Sequence, residues 1–264
     1  RRAIEHGFTE AELEEVKANL VNSYELSVKA EPSRKTNNLA SSLAKHVHKG
    51  AVFSTPADDL SILRKNIASI TPETCHQALS QFWDTKDITL ILTTNTPQDN
   101  AEQELSKLYS DSHSKEVTAP ENEAAASFAY TDFGKPGTIA HQSHITDLDI
   151  TQVRFHNGCS CNIKKTDFNK NSIDLTTRVG AGKLNMPKDK PGLDMFASSV
   201  FSAGGLGQHS SDDLDRILAG RNAGIGFQVG EDAFILSGST TPDDLELQLQ
   251  LLCAYLTDPG LRPE

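Results

Sequence analysis

Cysteine, methionine, tryptophan and positive charge are all scarce in this sequence. Its 264 residues hold four cysteines, two methionines and one tryptophan. Cys159 and Cys161 stand two apart, which is neither the redox nor the zinc-knuckle C-x-x-C spacing, and Cys75 and Cys253 are isolated. In a strand, Cys159 and Cys161 would share one face, so unpaired cysteines acting as small buried hydrophobes are expected. Lysine and arginine number 25 against 36 aspartates and glutamates, a net charge of -11. That balance argues against nucleic acid and anionic membranes as partners. No apolar run approaches the ~20 residues a membrane helix needs, so no membrane insertion is expected. The chain opens at Arg1-Arg2-Ala3-Ile4 without a charged-then-apolar leader and closes at Pro263-Glu264 after a helical pattern. Both ends read as cut from something longer.

Patterns that carry chemistry are missing too. His46 and His48 fall on one predicted helix, where residues two apart point about 200° from each other and cannot chelate one ion. His141 and His144 fall near a predicted strand, on opposite faces. His6, His76, His113, His156 and His209 are isolated, as surface or hydrogen-bonded core histidines would be. No G-x-S-x-G occurs, and Ser198-Ser199 has no histidine base beside it in sequence. Gly204-Gly205-Leu206-Gly207 lacks the G-K-[ST] ending of a phosphate loop and reads as a turn needing positive backbone angles. No cofactor or metal site is expected in this chain.

What remains, 37% hydrophobic and 23% charged, suits a soluble globular protein of one or two domains. The first third reads as helices. Thr9-Glu10-Ala11-Glu12 is a capping box, and Leu13, Val16, Leu20 and Tyr24 form one apolar stripe. Pro32 ends that helix. Ser33 caps the next, whose face is Leu39, Leu43 and Val47 and whose stop is Gly50. Thr55-Pro56 and Thr71-Pro72 each place proline at the first helical position after a cap, opening helices over 56–69 and 72–84. Ile88, Leu90 and Leu92 alternate as a strand. Residues 98–112 read as an exposed helix anchored by Leu105 and Leu108. From 113 to 137, Ser, Glu, Ala and Pro predominate, a linker composition.

After the linker the period changes to two. Thr151, Val153 and Phe155 lead through Asn157-Gly158 into Cys159, Cys161 and Ile163, a hairpin signal. Ile173, Leu175, Thr177 and Val179 make a third strand. A helix follows over 191–203, with Leu193, Phe196 and Val200 expected against the core. A short helix starts at Ser211-Asp212-Asp213. Ile225, Phe227 and Val229 pair with Phe234 and Leu236 across Gly230-Glu231-Asp232. Ser239-Thr240-Thr241-Pro242 reads as the cap of a last helix, buried through Leu245, Leu249, Leu252 and Leu256. The fold class is α+β, with helices packed on one face of mainly antiparallel sheets.

One segment, Gly192-Leu193-Asp194-Met195-Phe196-Ala197-Ser198-Ser199-Val200-Phe201, resembles the G-L-A-H-F-L-E-H-x-L-F run of the pitrilysin/insulinase zinc metallopeptidases, the inverzincins. There H-x-x-E-H supplies two zinc-binding histidines and a glutamate general base from one helix. Here Met195 and Ser199 stand at the histidine positions and Ser198 at the glutamate, and a thioether and two hydroxyls cannot replace those ligands. Phe155-His156-Asn157-Gly158 resembles the family's L-x-N-G opening hairpin, and Val179-Gly180-Ala181-Gly182 the strand end before the motif helix. Phe201-Ser202-Ala203-Gly204-Gly205 resembles the turn after it, and Leu245 to Pro259 the later helix ending in D-x-L-x-x-P. Residues 1–95 are similar to the closing part of a preceding domain, through Glu10-Ala11-Glu12-Leu13-Glu14-Glu15-Val16-Lys17 and the elements after it.

The resemblance implies two incomplete metallopeptidase-like units. Residues 1–112 would close one pitrilysin-like domain, 113–137 would link, and 138–264 would open an inactive one. It also implies a noncatalytic segment of a zinc-dependent endopeptidase, helping to enclose and bind peptide or protein substrate beside other domains of the same parent chain. The zinc would sit in the parent's active domain, and the parent would be exported or periplasmic. The alternative is a structural or interaction subunit of the same fold whose parent has no peptidase activity. An intact H-x-x-E-H upstream of Arg1 would decide between them.

Overall fold

The computed structural model describes residues 1–83, 88–97, 99–122 and 126–262. The first third is helical: α1 (Arg2–His6), α2 (Glu10–Lys29), α3 (Thr36–Lys49), α4 (Pro56–Ile67), α5 (Pro72–Phe82) and α6 (Ala101–Ser114). The cap chemistry explains where three of them start. Thr9, Thr55 and Thr71 each accept the amide three residues on, and each has its own amide bound in return by the side chain there. Proline takes the first helical position in α4 and α5, where its missing N–H costs nothing. Gly50 ends α3 in the left-handed conformation at φ 63°.

Helix α3 departs from expectation at its start. Its N-cap is Lys35, with no side-chain cap. Ser33 lies in a 3-10 turn, Glu31–Ser33, where its hydroxyl donates to Ala30 O at 3.1 Å and accepts the Lys170 amide at 3.2 Å. Leu108 is also misread: it is 66% exposed on α6. The expected strand at Ile88, Leu90 and Leu92 does not form. A strand requires a partner's ladder, and residues 88–92 find none among the described residues.

The second part holds two antiparallel sheets. In one, β1 (Ile139–Ile145), β2 (Ile150–Phe155) and β3 (Ser160–Ile163) form a meander. Val153 faces Cys161 and Thr151 faces Ile163 across the Asn157-Gly158 turn, as the alternation requires. Strand β1 escaped the sequence reading because His141, Gln142, Ser143 and His144 carry no apolar alternation. Cys159 and Cys161 are free but exposed rather than buried; Cys161 lies on β3, an edge strand whose four residues are all exposed.

The other sheet has the order β4 (Ile173–Val179), β6 (Phe234–Thr240), β5 (Gly226–Val229). Phe227 pairs with Leu236 and Val229 with Phe234, the expected second hairpin. Three helices accompany it: α7 (Leu193–Val200) against β5, α8 (Ser211–Ile217), and α9 (Leu245–Thr257) against β6. The main core lies beside this sheet and joins Leu206, Leu214, Leu236, Leu251, Leu252, Ala254 and Tyr255. Phe201 stacks on Phe227 at 4.1 Å between ring centroids and approaches Tyr255 at 5.8 Å.

The stretch 115–122 and 126–137 has neither helix nor strand. Part of it nevertheless belongs to the core. Tyr130 is buried with Phe128 packed beside it. The Tyr130 hydroxyl donates to Asp258 Oδ2 at 2.6 Å and accepts the Gln208 amide at 2.9 Å. His209, read as isolated, accepts the Ala129 amide at 3.0 Å and stacks against Phe128.

The last helix corrects a stripe by one residue. Its inner face is Asp244, Gln248, Leu251 and Tyr255, with Leu252 and Ala254, while Leu249 and Leu256 are each 43% exposed. The true stripe has the same spacing as 245, 249, 252 and 256 but begins with two polar residues, which a search for apolar periodicity discards. Both are hydrogen-bonded. Gln248 bonds the Gly224 amide and carbonyl at 2.9 Å each. Asp244 accepts from Arg221 Nε at 2.6 Å, the Asn222 amide at 2.8 Å and Asn222 Nδ2 at 2.9 Å. Thr241 makes no cap bond, because a 3-10 turn, Pro242–Asp244, comes between it and α9.

Candidate functional site

The motif helix α7 starts at Gly192, whose φ of 83° suits glycine. Asp194 in its first turn meets Lys183 Nζ at 3.2 Å, and Lys183 also reaches Glu231 at 3.0 Å. The Lys183 ammonium and the Met195 amide hold the Asp194 carboxyl below its ordinary range, and hydrogen bonds with Glu231 and Asp194 raise the Lys183 ammonium. This ion network is exposed and fastens the helix start to the turn between β5 and β6.

The three motif positions go separate ways. Met195 is 73% exposed and points away from the core. The Ser199 hydroxyl, also exposed, donates to Met195 O at 3.0 Å. Ser198 is half-buried: its Oγ donates to Asp194 O at 2.8 Å and accepts the Val229 amide at 3.1 Å. This serine therefore bridges α7 to β5, an edge strand. The expected inner face of Leu193, Phe196 and Val200 is corrected accordingly. Phe196 is 64% and Val200 40% exposed, while Leu193, Asp194, Ala197 and Ser198 are the partly covered residues. The helix has turned so that its small residues meet the sheet. Close approach to β5 requires small side chains, and the aromatic ring is left outside.

These donors do not fit zinc. The available groups at the three positions are a thioether and two hydroxyls, and the Ser198 hydroxyl is already engaged on both sides. Among the described residues no group of three or more His, Cys, Asp or Glu could hold a metal ion. Several histidines serve backbone carbonyls: His6 that of Val117, His46 that of Ser42 and His76 that of Ile4.

The glycine-rich loop after α7 is a packing device. Gly205 takes φ 66°, and a Cβ on Gly204 would collide with the Gly260 carbonyl. Leu206, which follows them, is fully buried. Arg262 closes the loop by donating to the carbonyls of Gly204, Leu206 and Gly207.

No protein-family model matches this chain, and no curated protein sequence does. Among solved structures, it aligns with the periplasmic protease PqqL from Escherichia coli at a TM-score of 0.50 and 20% identity. The alignment covers 98% of this chain and 29% of PqqL. The ferredoxin protease FusC, solved as a variant in complex with Arabidopsis ferredoxin, aligns at a TM-score of 0.49 and 13% identity over 99% of this chain and 30% of that one. The chain shares the fold of part of PqqL. It spans less than a third of the length of either protein.

The sequence reading missed one cluster. Lys35, Lys170, Asn171 and Thr241 line one groove. Separated by up to some two hundred positions and belonging to no motif, they carry no signal until the chain is folded.

Proposed function

We propose that this chain is a noncatalytic segment of a pitrilysin/insulinase-type zinc endopeptidase, helping to enclose and bind peptide substrate. Residues 1–112 would close one domain of the parent, 113–137 would link, and 138–264 would open a degenerate domain. The observation that carries the reading is Ser198. At the position where a catalytic helix of that type places its glutamate, this helix places a hydroxyl that ties α7 to β5. The helix thus has a structural reason to persist without its chemistry. The fold shared with part of a protease supports the wider setting.

Zinc and the cleaving chemistry would belong to another domain of the parent. The exposed apolar side chains of Met195, Phe196 and Val200 on α7 support packing against such neighbouring domains. Strand β4 has no neighbour on its outer edge among the described residues, and an extended peptide can add there through main-chain hydrogen bonds. An exported parent accords with the periplasmic protease whose fold the chain shares.

The test is metal analysis and a peptide assay on the purified chain. Far less than one zinc per chain is expected, with peptide bound but not cut. A stoichiometric, chelator-sensitive zinc, or hydrolysis that disappears in Ser198→Ala or Ser199→Ala, would overturn the reading.

A further inference from the structure

An open groove of about 420 Å³ lies where α2 and α3 meet the loop before β4 and the end of β6. Leu26 of α2 and Ala30 just after its end give it an apolar wall. The charged side chains lining it are Arg34, Lys35 and Lys170, all cationic in a chain of net charge -11. Arg34 is paired with Glu31 at 2.9 Å. Lys35 and Lys170 have no carboxylate partner among the described residues.

Two further features point the same way. Helix α3 begins here with Lys35 as N-cap, no side-chain cap and no acidic residue in its first turn. The Asn38 amide is met by Asn37 Oδ1 at 2.9 Å, while the Thr36 and Asn37 amides keep the partial positive charge that an acidic cap would otherwise meet. Thr241 Oγ1 and Asn171 Nδ2 are buried without hydrogen-bond partners, and both residues line the groove. Thr241 is only 3% exposed. A buried polar group without a partner is costly, so a folded chain rarely keeps two in one place. Here they stand in one groove with two lysines and a helix start whose first two amides are uncapped, all suited to the same anion.

We propose that this groove binds a peptide carboxylate, with Lys35 and Lys170 supplying charge and Thr241 and Asn171 donating hydrogen bonds. The apolar wall receives the residue that bears the carboxylate. The carboxylate is either a free C-terminus or an Asp or Glu side chain, which present the same two oxygens. A polyanion such as nucleic acid is disfavoured by the charge of the whole molecule. The assignment deepens the peptide-binding reading and rests on it.

Fluorescence anisotropy with three short, N-terminally labelled peptides of the same apolar sequence separates the outcomes. One ends in a free carboxylate, one in an amide, and one in an amide with an internal Glu. At least one acidic form should bind about tenfold tighter than the plain amide, the worth of one charge-assisted hydrogen bond. Which acidic form gains identifies the source of the carboxylate. Lys35→Gln with Lys170→Gln should abolish the difference. Thr241→Val should weaken carboxylate binding several-fold while melting no lower than the parent chain, because it removes a hydroxyl that has no partner in the free protein. Equal binding of all three peptides, unchanged by the lysine variants, would overturn the groove assignment and leave peptide binding intact. Failure of every peptide to bind would overturn both.

Discussion

Removing the Ser198 hydroxyl should destabilise this chain, although a serine on a short helix would ordinarily be replaced by alanine with profit to the helix. Val229 is 5% exposed, and its amide donates to Ser198 Oγ at 3.1 Å. In Ser198→Ala that amide keeps no acceptor and cannot turn to water. Leaving a buried donor unsatisfied costs about 1–3 kcal/mol. Alanine returns about 0.5 kcal/mol through its better helix propensity. A net loss of about 0.5–2.5 kcal/mol follows. The neighbouring Ser199→Ala is the control. Its hydroxyl is exposed and bonds only the carbonyl one turn back, so a change within about 0.5 kcal/mol of zero is expected. Urea unfolding followed by circular dichroism reads both variants. Hydrogen exchange at the Val229 amide reads the bond itself and should accelerate in Ser198→Ala alone. Equal stabilities of the two variants, or undiminished protection at Val229, would refute a bridging role for Ser198 and weaken the case that α7 persists for packing.

Two other outcomes are expected. Burial pushes the Asp244 carboxyl up, but the amide and side chain of Asn222 and the Arg221 guanidinium outweigh it, and the net shift is downward. Its contribution is therefore present above the unfolded carboxylate value of about 3.9 and is lost as pH falls through the lower native value. Asp244→Asn should be less stable at neutral pH and show a shallower fall in acid, and parallel pH profiles would contradict this. Limited proteolysis should cut early within 115–122 and spare 126–132, because cleavage beside Phe128 or Tyr130 requires the core to open. Early cuts beside Tyr130 would show that this contact does not hold in solution.

The sequence announced most of the elements because their signals are local. Thr9, Thr55 and Thr71 mark helix starts through bonds that close within three residues, and Asn157-Gly158 fixes a hairpin through its own turn. Errors gathered where a neighbour decides. The rotation of α7 depends on how closely β5 approaches, so Phe196 was expected inside and lies outside. The inner face of α9 contains Asp244 and Gln248 because loop groups at 221–224 come to meet them. Tyr130 sits in a stretch of linker composition, and only the folded positions of Asp258 and Gln208 explain its burial. That Met195, Ser198 and Ser199 are not zinc-binding side chains was legible by inspection. That Ser198 bonds a neighbouring strand was not, since its partner lies 31 residues away.

The same long-range contacts connect the groove to the stability of the whole. Asn22 and Asn222 exchange side-chain hydrogen bonds at 2.9 and 3.2 Å, and Gly220 N donates to Asn19 at 2.8 Å. These bonds set α2 against the 220–222 loop, and so set one wall of the groove against the other. Asn222 is in turn held by Asp244 through its amide and its side chain. Asp244 closes the 3-10 turn that begins one residue after Thr241. One buried carboxylate therefore orders both the loop that positions α2 and the turn next to the unpartnered hydroxyl. Neutralising that carboxylate would remove charge-assisted bonds from Asn222. Asp244→Asn, which removes those bonds at neutral pH where a peptide carboxylate is ionised, should consequently weaken carboxylate binding by the groove.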